Sequence, residues 1–157
     1  MNVFTNIFKK RKKENFNYTI IAGCGRLGAN LARTLSDSGG DVIIIDKNPD
    51  AFQKLSSSFG GIVMTGDATD MLVLNEAEIK KATAVISVTN NDNTNIMVAQ
   101  LAKELFNIEY VIARLYDSDR ECIYQEFGID TICPAELSTK EIYKLLGVSE
   151  KVEEDTK

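Results

Sequence analysis

Residues 18–46 read YTIIAGCGRLGANLARTLSDSGGDVIIID, which sets out a strand, a glycine turn, a helix, a second strand and a terminal carboxylate in that order. Gly23, Gly25 and Gly28 stand in the G-x-G-x-x-G spacing, directly after the apolar run Ile20, Ile21, Ala22. They open a helical pattern carried by Leu27, Leu31, Ala32 and Leu35. The glycines serve three mechanical purposes. Gly23 permits the tight turn, Gly25 lets backbone approach a phosphate, and Gly28 lets the helix press on the sheet. The N–H groups that open the helix then face an anion, with the positive end of the helix dipole behind them. Asp46 ends the second strand, where a carboxylate accepts hydrogen bonds from both ribose hydroxyls and disfavours a 2′-phosphate. Strand, helix, second strand and acid in register make a fingerprint of dinucleotide type.

Working outward, strand and helix patterns keep alternating. Asn48-Pro49 opens a helix expected to run to about Ser58, closed by Gly60-Gly61, and Ile62, Val63 and Met64 form a third strand. Gly66-Asp67-Ala68-Thr69-Asp70 follows at that strand's carboxyl end, where open α/β sheets place ligand-contacting residues, and a helix carries Met71, Leu72, Leu74 and Ala77. Residues 84–88 are a fourth buried strand ending in Thr89-Asn90-Asn91-Asp92, and 95–106 a long helix. Residues 110–113 form a fifth strand that ends at Arg114, and a helix at about 119–127, stopped by Gly128, leads to a short sixth strand at 130–133. The economical architecture is an α/β fold of Rossmann type, a doubly wound parallel six-stranded sheet in the order 3-2-1-4-5-6. Residues 138–146 give one further amphipathic helix with Ile142, Leu145 and Leu146 on a stripe. With no strand left to cover, that stripe is expected to pack on another chain.

Composition narrows the function classes. A chain of 157 residues with 44% hydrophobic residues suits one domain with a full core. We divide it into a basic amphipathic leader at 1–17, a nucleotide-binding domain at 18–147 with its last helix for dimerisation, and a charged tail at 148–157. Val3, Phe4, Ile7 and Phe8 precede the cations Lys9, Lys10, Arg11, Lys12 and Lys13, a segment suited either to touching a membrane surface or to a solvated leader. Those five of the 18 cations leave 13 against 23 acids, so the rest of the chain carries −10. An acidic body argues against nucleic acid as partner. No run is long enough to span a membrane and no secretory signal is present, so a cytoplasmic protein is expected. Three cysteines without metal spacing and the absence of histidine predict neither a disulfide framework nor a Cys/His zinc site. They also remove histidine acid/base chemistry.

The segments 20–39 (IIAGCGRLGANLARTLSDSG), 42–55 (VIIIDKNPDAFQKL), 63–92 (VMTGDATDMLVLNEAEIKKATAVISVTNND), 110–117 (YVIARLYD) and 127–134 (FGIDTICP) resemble the RCK (regulator of potassium conductance) domain of the TrkA and KtrA type. Arg26 inside the turn, GDATD after the third strand, the T-N-N-D loop and IAR at the end of the fifth strand carry the resemblance beyond the glycines. It implies a nucleotide-sensing gating subunit that forms homodimers, then a ring, commonly an octamer, beneath a membrane potassium-translocating subunit. Such a subunit is peripheral to the inner face of the cell membrane. Its ligands across the family are ATP, ADP, AMP or NAD(H). Carried over, Gly23, Gly25, Arg26, Leu27 and Gly28 hold phosphates, Asp46 and Lys47 meet the ribose, and Asp67, Ala68 and Thr69 flank the adenine. Val88, Thr89, Asn90 and Arg114 close the pocket near the phosphates and ribose. Full-length members usually carry a second lobe, the site where several bind cyclic di-AMP; this chain stops before one, which leaves a piece of a longer protein or a one-lobe member. Some relatives place a glutamate of a divalent-ion site right after the proline, whereas Ala135 follows Pro134 here and Glu136 reads as a first-turn acid.

The rival class is a nicotinamide-dependent oxidoreductase, or a stand-alone NAD-binding redox sensor. A dehydrogenase needs a substrate site and an acid or base, for which the chain offers Tyr116 or Lys140, each more simply a surface residue. Cys24 at the helix start invites a redox role, but a bound phosphate there would oppose a thiolate. No catalysis is expected. Arg26 is placed to reach a terminal phosphate with two parallel hydrogen bonds and so to sense phosphate number.

Overall fold

The computed structural model describes residues 17–148. The expected leader up to residue 16 and the expected tail from 149 onward lie outside them. Six strands form one sheet: β1 (Tyr18–Ala22), β2 (Asp41–Asp46), β3 (Ile62–Thr65), β4 (Ala84–Ser87), β5 (Tyr110–Arg114) and β6 (Asp130–Ile132). Every pairing is parallel and the order is β3-β2-β1-β4-β5-β6. This is the order expected from the alternation of patterns. The helices are α1 (Arg26–Asp37), α2 (Met71–Glu76), α3 (Asp92–Gln100), α4 (Glu121–Glu126) and α5 (Pro134–Leu146).

Central strands of a parallel sheet are covered on both faces, which is why β1 and β2 read as unbroken apolar runs. Ile20, Ile43, Ile45, Val85 and Val111 point to the face packed by Leu74 of α2 and Ile96, Val98 and Ala99 of α3. Ile21, Val42 and Ile44 point to the other face, against Ala29 and Ala32 of α1 and Ala51 of the β2–β3 connection. β1 sits between β2 and β4, so the chain reverses direction across the sheet there and the crevice opens at the carboxyl ends of those strands.

Several boundaries differ from the periodicity. The helix expected from Asn48 to Ser58 is a 3-10 turn at Pro49–Lys54 capped by Asn48, and Leu55 is already extended. Ser58 N–H donates to the Ser56 hydroxyl at 3.2 Å, so side chain and backbone bond locally where a helix would need the backbone free. The long helix expected at 95–106 starts earlier, with Asn91 accepting from Thr94 N–H at 2.9 Å as its cap. It then widens into a π turn at Leu101–Leu105, after which Asn107 turns left-handed and Ile108 N–H reaches back to the Ala102 carbonyl. α5 begins at Pro134, four residues before the expected start, because proline at its first position lacks only an N–H that the helix does not use.

α5 has no buried residue, with Leu145 and Leu146 79% and 70% exposed. β3, at the sheet edge, exposes Ile62 and Val63.

The tightest approach in the fold lies between α1 and the turn before it. A Cβ on Gly28 would stand 1.9 Å from the Gly23 carbonyl oxygen, a backbone atom that cannot move aside cheaply. Gly28→Ala is therefore expected to cost about 3 kcal/mol or more, at the upper end for overpacking. Gly25→Ala, whose Cβ meets nothing within 4 Å, is expected to stay within about 1 kcal/mol of wild type, the small loss of a glycine N-cap offset by the lower entropy of the unfolded chain. Denaturant unfolding of both variants checks the pair.

Candidate functional site

The turn between β1 and α1 is built from two restraints. Gly23 N–H donates to the Ile45 carbonyl at 2.8 Å, which ties the end of β1 to β2. Gly23 adopts φ +103°, and a Cβ there would meet Thr89 N at 2.8 Å, so both its conformation and its neighbour exclude a side chain. Past it, the N-terminus of α1 has no side-chain cap and no acidic residue in its first turn. A helix start with open N–H groups and free space above Gly25 suits a phosphate.

β2 delivers the next group. Asp46 accepts from Cys24 N–H at 2.7 Å through Oδ2 and from Asn48 N–H at 2.9 Å through Oδ1. These two bonds fix the carboxylate at the mouth of the turn and leave further lone pairs on both oxygens for ribose hydroxyls. Cys24 is buried and its thiol donates to the Ala51 carbonyl. Burial, and after it the Asp46 charge, push that thiol up. It is thus a neutral packing group at ordinary pH rather than a thiolate.

β3 leads to Asp67, whose Oδ1 accepts from both the N–H and the hydroxyl of Thr69, at 2.9 and 2.7 Å. Its Oδ2 pairs with Lys47 Nζ at 2.9 Å. The Lys47 ammonium, then the Thr69 hydroxyl, hold the Asp67 carboxyl down at about 2. The loops after β2 and β3 are in this way locked to each other.

On the far side, β4 and β5 end against one buried amide. Asn95 of α3 is wholly buried. Its Oδ1 accepts from Ser87 Oγ, Thr89 N–H and Thr89 Oγ1 at 3.0, 2.8 and 2.7 Å. Its Nδ2 donates to the carbonyls of Thr89 and Arg114 at 3.0 and 2.9 Å. Arg114 in turn donates from Nη2 to the Thr89 carbonyl and lies over the Tyr116 ring, 4.9 Å from its centroid.

These parts surround one cavity of about 570 Å³ at the carboxyl ends of the central strands. Of the residues expected from the sequence, Gly23 and Gly25 line it at the turn, Asp46 and Lys47 after β2, and Asp67 and Ala68 after β3. Val88, Thr89, Asn90 and Arg114 line its other wall. Four do not line it. Gly28 is buried against Gly23, Leu27 packs its side chain on the α1 core, and Arg26 is exposed at the helix start. Thr69 turns its hydroxyl to Asp67. The structure adds Lys54, Asn91 and Thr94, which also face the cavity. Their signal in the sequence is faint: Lys54 lies in a stretch that reads as an ordinary helix, and Asn91 and Thr94 in a loop whose capping bond the periodicity does not show. Among the described residues no cluster of three or more potential metal-ligating side chains occurs. None of the described helices is long and apolar enough to cross a membrane.

The sequence pattern of the TrkA-N domain matches residues 19–134. The Trk system potassium uptake protein TrkA of Streptomyces coelicolor is 40% identical over 129 residues, covering 82% of this chain and 58% of that protein. The chain thus spans about three fifths of the length of this relative and of its Pyrococcus homologues. Among solved structures, the AMP-bound Kef C-terminal domain of Shewanella denitrificans is 26% identical with a TM-score of 0.65, covering 85% of this chain and 84% of that one. GsuK bound to ADP is also 26% identical, with a TM-score of 0.70 over 87% of this chain and 35% of that one.

The Lys47–Asp67 pair gives a pH prediction. Because folding lowers the Asp67 pKa from 3.8 to about 2, its stabilisation is complete above pH 3.8 and is lost as the pH falls through about 2. Carboxyl-carbon NMR titration is expected to place the Asp67 midpoint near 2 in wild type, and Lys47→Ala is expected to move it back up toward 3.8.

Proposed function

The chain belongs to the TrkA-N domain family, and from that premise we propose that it is a nucleotide-sensing regulatory subunit of a potassium transport system. The observation that carries the ligand reading is the pairing of an uncapped, acid-free α1 N-terminus with the Asp46 carboxylate at the mouth of the same turn. One group attracts phosphate and the other accepts ribose hydroxyls, on two sides of a single cavity. The ligand is an adenine nucleotide, ATP, ADP or AMP, or NAD(H). Relatives of similar fold are described with AMP and with ADP, which supports that choice.

In this proposal the N–H groups of Arg26 and Leu27 receive the phosphates above the bare Gly25, while Gly23 and Gly28 hold the turn and the helix start together beneath them. The Arg26 guanidinium, exposed at the rim, reaches for a terminal phosphate. Asp46 and Lys47 meet the ribose. Asp67, Ala68 and Thr69 border the adenine, Asp67 and Thr69 as a locked pair and Ala68 as the apolar surface. Val88, Thr89, Asn90 and Arg114 close the opposite wall. No bond-making step is assigned to this chain. Its output is a difference in shape or assembly passed to a membrane potassium-translocating partner, at the cytoplasmic face of the membrane, by a homodimer and an octameric ring of such dimers. A ligand can bias that output only through unequal affinity for two states of the subunit.

Asp46→Ala is expected to weaken adenine nucleotides by about 1.5–3 kcal/mol, the range for hydrogen bonds to a charged group. Titration calorimetry that finds wild-type affinity in this variant removes Asp46 as the anchor. The dimer rests on α5. Leaving Ile142, Leu145 and Leu146 in water forgoes about 1.5–3 kcal/mol for each side chain that full burial would shield. Sedimentation of the intact chain is expected to show a dimer or a larger species. A monomer at high micromolar concentration counts against the ring.

A further inference from the structure

We infer that Asn95 is a positioning residue of the nucleotide pocket: it does not itself line the cavity, yet it sets where Thr89 and Arg114, which do, present themselves. The inference rests on the nucleotide reading above and assigns a residue to it that does not touch the ligand.

An amide is a costly choice for a wholly buried position. It is unfavourable unless its donors and acceptors are all satisfied, and an aliphatic residue in the middle of α3 would fill the same space without that condition. Here the condition is met in full. Both Nδ2 hydrogens are used, on the carbonyls of Thr89 and Arg114, and Oδ1 takes three donors from Ser87 and Thr89. The partners also fix which end is which, since a backbone N–H must meet an oxygen and two carbonyls must meet the amide hydrogens. One side chain thereby clamps the exits of two neighbouring strands, β4 and β5.

Those exits are the wall of the cavity opposite Asp46. Thr89 N is also the atom that a Cβ on Gly23 would strike, so the loop held by Asn95 is the one against which the phosphate turn rests. The Thr89 carbonyl accepts from Asn95 and from the Arg114 guanidinium alike. Asn95 thus fixes both the backbone from which Arg114 departs and the atom on which its tip is seated. The Arg114 Nε is buried without a partner, which leaves this guanidinium with hydrogen-bonding capacity to spare beside the cavity. The adenine side, carried by the loop after β3, and the Asp46 ribose anchor share no bond with Asn95. Its influence should therefore fall chiefly on the phosphate end.

The experiment measures ADP by calorimetry, and the weaker adenosine by amide chemical-shift titration, on the full chain. Asn95→Ser is expected to weaken ADP about tenfold, the equivalent of disturbing a buried hydrogen bond, and adenosine by at most about twofold. Combined with Arg114→Ala it should add at most about a further twofold to the loss for ADP, because the two act through one contact. Ser87→Ala, which deletes a donor to Asn95 from a residue outside the cavity lining, should weaken ADP in the same selective sense and serves if the Asn95 variant does not fold. Equal losses for ADP and adenosine, or full additivity with Arg114→Ala, overturn the positioning role and leave a structural tether. Failure of wild type to bind ADP overturns the nucleotide reading as well, which separates the two outcomes.

Discussion

The approach of α1 to the turn before it is the constraint on which the rest depends. Gly28 lies so close to the Gly23 carbonyl that no side chain fits between them, and Gly23 in turn lies against the backbone of Thr89. Three segments therefore meet at one point, the β1–α1 turn, the start of α1 and the exit of β4. Any side chain at either glycine would lift the helix from the sheet and move its N-terminus away from the cavity it opens onto. The anion-attracting end of α1 is useful only while that contact holds it over the crevice.

Around this contact the polar groups divide into two locked sets. On the β2–β3 side, Asp46 takes the N–H groups of Cys24 and Asn48, and Asp67 takes Lys47 and Thr69. On the β4–β5 side, Asn95 gathers Ser87, Thr89 and Arg114. Each set joins loops from different strands through short hydrogen bonds to one or two side chains, so each wall of the cavity is held before any ligand arrives. Pre-ordered walls reduce the entropy that binding must remove. What stays adjustable is at the rim, where Arg26 and Asn90 are exposed.

The outer surface is organised with less symmetry. Both faces of the central strands are covered, yet α5 contributes no buried residue and leaves Leu137, Ile142, Leu145 and Leu146 exposed. A helix with such a stripe is stable in a folded domain when something covers it. Its N-terminus follows β6 directly, and Leu115 N–H donates to the Ile132 carbonyl at 2.9 Å. A continuous covalent and hydrogen-bonded route thus runs from the Arg114 wall of the cavity to the start of α5. In the proposed regulatory role, that route is where a ligand's effect on the pocket would be converted into an effect on assembly.

The sequence alone determined the order of strands and helices and most of the cavity lining. The reason is that the signals are local: apolar runs, a glycine spacing, and an acid at the end of Ile43-Ile44-Ile45. Side-chain period and backbone conformation are decided within a few residues, and the right-handed crossover rule then leaves few ways to wind a parallel sheet. The tertiary structure alone decided the rest. It shortened the stretch after Asn48 into a 3-10 turn and widened the end of α3 into a π turn, since an apolar period is shared by all helical forms and does not select among them. It brought Lys54 and Thr94 to the cavity and turned Thr69 toward Asp67. Above all it made Asn95 a hub. Nothing in N-T-N-I announces that one of its asparagines is wholly buried, since an amide within a helical stretch reads the same whether it faces water or two strand ends. Burial and the partners that make it tolerable are properties of the packed sheet, and they exist only once β4, β5 and α3 have come together.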